Sequence, residues 1–239
     1  KNVESKFQDC TTLFQAHSRA MLHEVLVACL GHPGDIIRDE SLVNPSKCSQ
    51  DGEPGTYRVP EWISFIAPTE REAINRVVGL GSIYRRLREF SQPDYQVFCE
   101  GIATDRGVGG QKTPELYVRA LKLGVEELLD EYAGRVAGVE RDVMDDPTLT
   151  ISRINAGLRE FMGVLPAVGE FCEALAEPRA FGTTVLEMLH ARSQYGSPDV
   201  RQRLDRLLWH CSQVLLNQIM AWVIHGMLVD PFHEFFIQH

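Results

Sequence analysis

The feature that most limits what this chain can fold into is a stripe of apolar residues near its end. From Ser197 onward, Val200, Leu204, Leu207, Cys211, Leu215 and Trp222 recur at steps of three, four and seven. Only a helix puts residues so spaced on one face. Ser197 is a good N-cap, Pro198 suits the first helical position, and Asp199 favours the positive end of the helix dipole. The polar face begins basic, with Arg201, Arg203 and Arg206. Past Met220 the pattern is apolar nearly all round, which predicts burial on several sides, Trp222 included.

The same spacing recurs upstream. A long helix opens at Thr113-Pro114-Glu115 and carries Leu121, Val125, Leu128, Tyr132, Val136, Val139 and Val143 until Asp145-Asp146-Pro147 stops it. Gly124, Gly134 and Gly138 lie inside it, and close approach of a neighbouring helix would account for them. Thr69-x-x-Glu72 and Thr184-x-x-Glu187 are capping-box patterns. The first leads into Ile74, Val78, Gly81, Tyr84 and Leu87. The second leads into Leu186, Leu189 and His190 and stops at Gly196. Ile151, Ile154, Leu158 and Phe161 form another stripe, and Pro166 kinks or restarts a helix with Val168, Phe171, Cys172 and Leu175.

Two stretches lack periodicity. Residues 32–68 hold five prolines, and Pro60 argues against a central strand over Tyr57–Phe65. Residues 91–112 end in Gly107-Val-Gly-Gly110. The predicted fold class is therefore all-α, helical bundles with two long irregular loops. Residues 1–20 also read as helical, with Val3, Phe7, Cys10, Phe14 and His17 on one face.

A net charge of −9 over 239 residues argues against nucleic-acid binding, which needs a basic footprint. The apolar run Ile219–Val229 is shorter than the ~20 residues that span a bilayer, so no membrane insertion is expected. The six cysteines, Cys10, Cys29, Cys48, Cys99, Cys172 and Cys211, form no Cys-x-x-Cys pair and read as small buried hydrophobes of a reducing compartment.

Motifs that carry chemistry are missing. His23-Glu24 has no second histidine four residues on, Gly79-Leu-Gly81 lies within a helix, and Gly107-Val-Gly-Gly110 is not followed by Gly-Lys-Ser/Thr. His190, His210 and His225 sit alone on apolar faces. Glu126-Glu127 and Asp145-Asp146 read as solvated helix surface, and Arg85-Arg86-Leu-Arg88 as a basic helix end favoured by the dipole. The chain is expected to have no catalytic residues, no cofactor and no metal, and so not to be an enzyme.

The last residues add a different signal. The helix runs out at Asp230-Pro231, and an acidic–aromatic segment follows, Glu234-Phe235-Phe236-Ile237. Such apolar surface gains about 25 cal/mol per Å² on burial, so this tail is expected to pack on something. The pattern Trp222, His225-Gly226, Leu228, Asp230, Glu234-Phe235-Phe236-Ile237 resembles the gamma-tubulin complex components. Other blocks are similar to that family in the same order. They are Met21-Leu-His-Glu through Gly31-His-Pro-Gly-Asp35, Ile66-Ala-Pro-Thr-Glu70 with Ile74–Gly81, Asp146-Pro147 with Leu149–Asn155, and Phe161–Pro166. The resemblance covers residues 21–239, is strongest to the component 4 branch, and leaves residues 1–20 uncovered.

The resemblance implies the N-terminal helical domain of an elongated subunit, without the C-terminal half that binds gamma-tubulin. It implies a structural role in the gamma-tubulin ring complex: lateral assembly with other components that templates microtubule nucleation. The implied location is the cytoplasm and cytoskeleton, at a microtubule-organising centre such as a centrosome or spindle pole. Components 2, 3, 5 or 6, or an unrelated helical adaptor, are the alternatives. Lateral contact needs exposed apolar surface, and the candidates are Leu22, Val25 and Leu26 on the first helix, with Asp35 and Arg38 in the loop after it.

Overall fold

The computed structural model describes residues 19–39, 56–64, 66–92, 116–146, 150–175, 182–227, 230 and 234–235. The expectations for residues 1–18, for the Gly107–Gly110 loop and for a helix start at Thr113 lie outside these. Among the described residues the regular structure is helical except for one short ribbon. Helix α1 covers 19–29. Strands β1 (Arg38–Asp39) and β2 (Tyr57–Arg58) pair antiparallel, Arg38 opposite Arg58 and Asp39 opposite Tyr57. Then come α2 (Pro68–Ser91), α3 (Leu116–Asp145), α4 (Ile151–Gly157), α5 (Phe161–Ala174), α6 (Thr183–Ser193) and α7 (Pro198–His225). The β2 strand ends before Pro60, as the missing N–H of that residue requires.

The chain divides into two compact units. One comprises residues 1–85 and 131–162, the other residues 86–130 and 163–239. In the first unit, Tyr132 of α3 is fully buried among aromatics. Its ring centroid lies 5.4 Å from that of Tyr84 and 5.2 Å from that of Phe161. Its hydroxyl donates to the Cys29 carbonyl, 3.2 Å away. Helices α1 and α2 come into backbone contact at Gly81. A Cβ on Gly81 would stand 1.8 Å from the Ala28 carbonyl oxygen.

In the second unit, α6 and α7 pack on each other. Helix α7 starts as its sequence predicts, with the Ser197 hydroxyl accepting from the Val200 N–H and Pro198 in the first turn. It ends at Gly226, whose left-handed φ of 62° suits glycine. A Cβ on Gly124 would meet Leu207 Cδ2 at 2.8 Å, so this glycine does permit a close α3–α7 approach. Gly134 and Gly138 have nothing within 4 Å, and close packing does not explain them.

Neither capping box forms as drawn. Helix α2 already includes Pro68, and the Arg71 N–H bonds the Ala67 carbonyl. Helix α6 starts at Thr183, behind Gly182. In both cases the chain enters the helix a residue or two before the threonine, which then lies inside the first turn. Pro166 stays within α5 and does not end it.

Of the acidic–aromatic tail, Glu234 and Phe235 are described, and both pack within the second unit. The Asp230 carboxylate accepts the Glu234 N–H at 2.9 Å and the Phe235 N–H at 2.8 Å. Glu234 Oε2 then accepts the Leu116 N–H at 3.0 Å, which caps the described start of α3 with a negative charge at its positive end. Phe235 is buried. Asp230→Ala removes the acceptor for two backbone donors and is expected to cost about 1–3 kcal/mol. Hydrogen exchange at the Phe235 amide checks it, since unchanged protection would show that the carboxylate does not hold the tail.

Candidate lateral interface

Helix α1 buries one stripe. Leu22, Val25 and Leu26 are only 4%, 1% and 2% exposed, and Cys29 is fully buried. The structure thus corrects three of the sequence-predicted contact residues. The apolar stripe of α1 faces this unit's own core, and its side chains are not presented to a neighbour. Asp35 and Arg38 are exposed.

Several polar contacts fix the loop that carries them. Glu24 Oε1 on α1 accepts the N–H groups of Ile36 and Ile37, at 2.6 and 3.1 Å. Gly31 turns the chain at φ 86°, and its carbonyl accepts from the buried Tyr57 hydroxyl at 2.9 Å. Asp39, 3% exposed, pairs with Arg85 of α2 at 3.1 Å. The Arg85 guanidinium also lies 5.3 Å from the Tyr57 ring centroid. The Val59 N–H donates to Asn75 Oδ1 at 2.8 Å. The β-ribbon is therefore held to α1 and α2 along its inner face.

The outer face is basic and aromatic. Arg38 and Arg58 are direct cross-strand partners, and both are exposed. Trp62 is 66% exposed, with the Arg38 guanidinium 5.5 Å from its ring centroid. The Arg38 Nε also donates to the Asp35 carbonyl at 3.5 Å. Asp35 and Arg38 are the sequence-predicted candidates that are exposed here, and the exposed Arg58 and Trp62 beside them were not among those candidates. The alternation over Tyr57–Arg58–Val59 was the available signal, since it sends Arg58 outward when Tyr57 goes in.

Nothing in this arrangement builds a reaction centre. Among the described residues no group of three His, Cys, Asp or Glu side chains is gathered as metal ligands would be. Burial pushes the thiols of Cys29, Cys172 and Cys211 up to about 12, so they stay protonated and unreactive at neutral pH. Cys10, Cys48 and Cys99 lie outside the described residues. His210, alone in the sequence reading, shares Glu127 Oε2 with Arg206, at 3.2 and 3.1 Å, in an exposed cluster on α3 and α7.

Comparison with known proteins matches this fold to one family. The family described as gamma tubulin complex component N-terminal covers residues 22–239. The chain belongs to the gamma-tubulin complex components. A component 4 homolog of Medicago truncatula is 32% identical over 91% of this chain and 29% of its own length. Component 4 of Homo sapiens is 30% identical over 91% of this chain and 31% of its own length. Component 3 of Arabidopsis thaliana is 23% identical over 91% of this chain and 24% of its own length. The likeness to component 4 read from the sequence agrees with this. The chain spans about a third of the length of the component 4 relatives it matches.

Proposed function

We propose that this gamma-tubulin complex component is a structural, non-enzymatic subunit that pairs side by side with other components. Gamma-tubulin is bound by a part of the protein outside residues 1–239. Pairing at a fixed spacing would preorganise gamma-tubulins as a template and remove entropic cost from the first tubulin contacts of a new microtubule. The cytoplasm, at microtubule-organising centres and spindle poles, is the place this implies. A relative named spindle pole body component 98 in Dictyostelium discoideum supports it, at 24% identity over 44% of this chain.

The observation that carries the reading is the exposed Trp62–Arg38 pair on a ribbon fixed to two helices. Tryptophan and arginine dominate the energetics of protein interfaces when they are held rigidly and desolvated on contact. Asp35 lies beside this pair, and the Arg38 guanidinium over the exposed Trp62 ring suits an acidic segment of a neighbouring component. Trp62→Ala is expected to weaken pairing at least tenfold, on the order of 2 kcal/mol. Asp35→Lys with Arg38→Glu should weaken it too. Each variant should melt within a few degrees of wild type, because Trp62 is 66% exposed and exposed charges contribute only ~0–1 kcal/mol to folding. Co-purification with the partner components is the measurement, and normal recovery of all these variants would place the lateral face elsewhere.

A further inference from the structure

Helix α7 has a second apolar stripe. Its core stripe, Leu204, Leu207, Cys211 and Gln218, is buried, with Gln218 accepting from the Tyr117 hydroxyl at 3.0 Å. On the other side, Trp209, Leu216, Met220 and Val223 recur at steps of seven, four and three, and Met227 follows just past the Gly226 cap. All five are at least half exposed, and Trp222 and Ile224 beside them are 42% and 63% exposed. The sequence reading placed Trp222 in the core, and the structure corrects it. The stripe that runs through Leu215 to Trp222 leaves the buried face after Cys211, where Gln218 takes over. The expected burial of the helix end on several sides is corrected as well. Among the described helices α7 alone is long and apolar enough to cross a bilayer, beyond what the Ile219–Val229 run suggested, yet only 17% of that apolar window is buried.

We infer that the outer stripe of α7 is the seat of a helix from the full-length chain outside residues 1–239, so that α7 is a wall shared by two helical layers. Three observations support this occupant. The spacing is that of a helix-packing seam, in which each apolar side chain fits between residues of a facing helix. Large apolar side chains exposed together along one helix, here Leu216, Met220, Val223 and Ile224, mark an interaction site. The component 4 relatives extend to about three times the matched length, which leaves ample chain to cover it. A bilayer fits less well. It would take Gln213, Asn217 and His225 of α7 into hydrocarbon without partners. The inference rests on family membership and is independent of the lateral surface proposed above.

Oxidative footprinting of the full-length wild-type protein, kept monomeric, tests it without any substitution. Met144 and Trp62 serve as references, at 55% and 66% exposed, against Met220 at 55% and Met227 at 57%. If the outer stripe is covered within the chain, Met220, Trp222 and Met227 should oxidise roughly tenfold more slowly than Met144 and Trp62. Oxidation of the α7 residues at the rate of the references would overturn the proposal. So would protection that arises only on adding partner components or phosphatidylserine vesicles. The lateral reading is scored separately in the same experiment, because partner components should protect Trp62 whatever happens on α7.

Discussion

Gly81→Ala is expected to lower the melting temperature by about 6–12 °C. The added Cβ would stand 1.8 Å from the Ala28 carbonyl oxygen and 3.0 Å from Cys29 Cα. Both obstacles are backbone, so no side chain can swing away. Relief requires α1 and α2 to separate, which opens the contacts of Val25, Cys29, Val77 and Val78, all buried. Overpacking a core costs roughly 1–3 kcal/mol and occasionally more. This contact belongs at or above the top of that range, and the better helix propensity of alanine returns only ~1 kcal/mol. A net loss of about 3 kcal/mol gives the stated shift at roughly 2–4 °C per kcal/mol for a chain of this size. Gly79→Ala is the control. It lies on the same helix with nothing within 4 Å of its would-be Cβ. It should be neutral or stabilise by up to ~1 kcal/mol. Identical melting of the two variants would show that α1 and α2 do not cross as described.

Tyr132→Ala should cost about 3–5 kcal/mol, the range for large aromatic-to-alanine changes in cores. Tyr132 is fully buried in the first unit, packed against a tilted Tyr84 ring and edge-to-face with Phe161, and bonded to the Cys29 carbonyl. Its hydroxyl is held well above its ordinary pKa, first by burial and then by the neighbouring Cys29. It therefore acts as a donor and not as an acid. Tyr132→Phe separates the two contributions. It keeps the ring and leaves one buried carbonyl short of a donor, and should cost only about 1 kcal/mol. Urea denaturation of the three proteins gives both differences. A Tyr132→Phe loss as large as that of Tyr132→Ala would mean that the hydrogen bond, and not the packing, holds this core.

What the sequence by itself determined is mostly what depends on a few consecutive residues. The all-α class and the course of α2, α3 and α7 follow from apolar spacing. The start of α7 at Ser197-Pro198 and the stop of α3 at Asp145 follow from caps and proline. The family was legible because its blocks recur in one order over residues 21–239.

Which face of each helix is inside was decided only by tertiary structure. Leu22, Val25 and Leu26 have the spacing of a contact stripe, but periodicity does not distinguish a stripe buried at home from one offered to a neighbour. On α7 two apolar stripes compete, and the buried one is chosen by what α3 and α6 present to it. The glycines make the same point. Gly79, Gly81, Gly124, Gly134 and Gly138 are all helical glycines in the sequence. Only the crossings of α1 with α2 and of α3 with α7 single out Gly81 and Gly124, where a backbone or a leucine occupies the space of a methyl group. Arg58 and Trp62 became a surface in the same way. They lie on a two-residue strand and the turn after it, and pairing with β1, far back in the chain, sets Arg58 opposite Arg38 while Trp62 comes beneath the Arg38 guanidinium. Such pairings arise from contacts between residues distant in sequence, which no local pattern encodes.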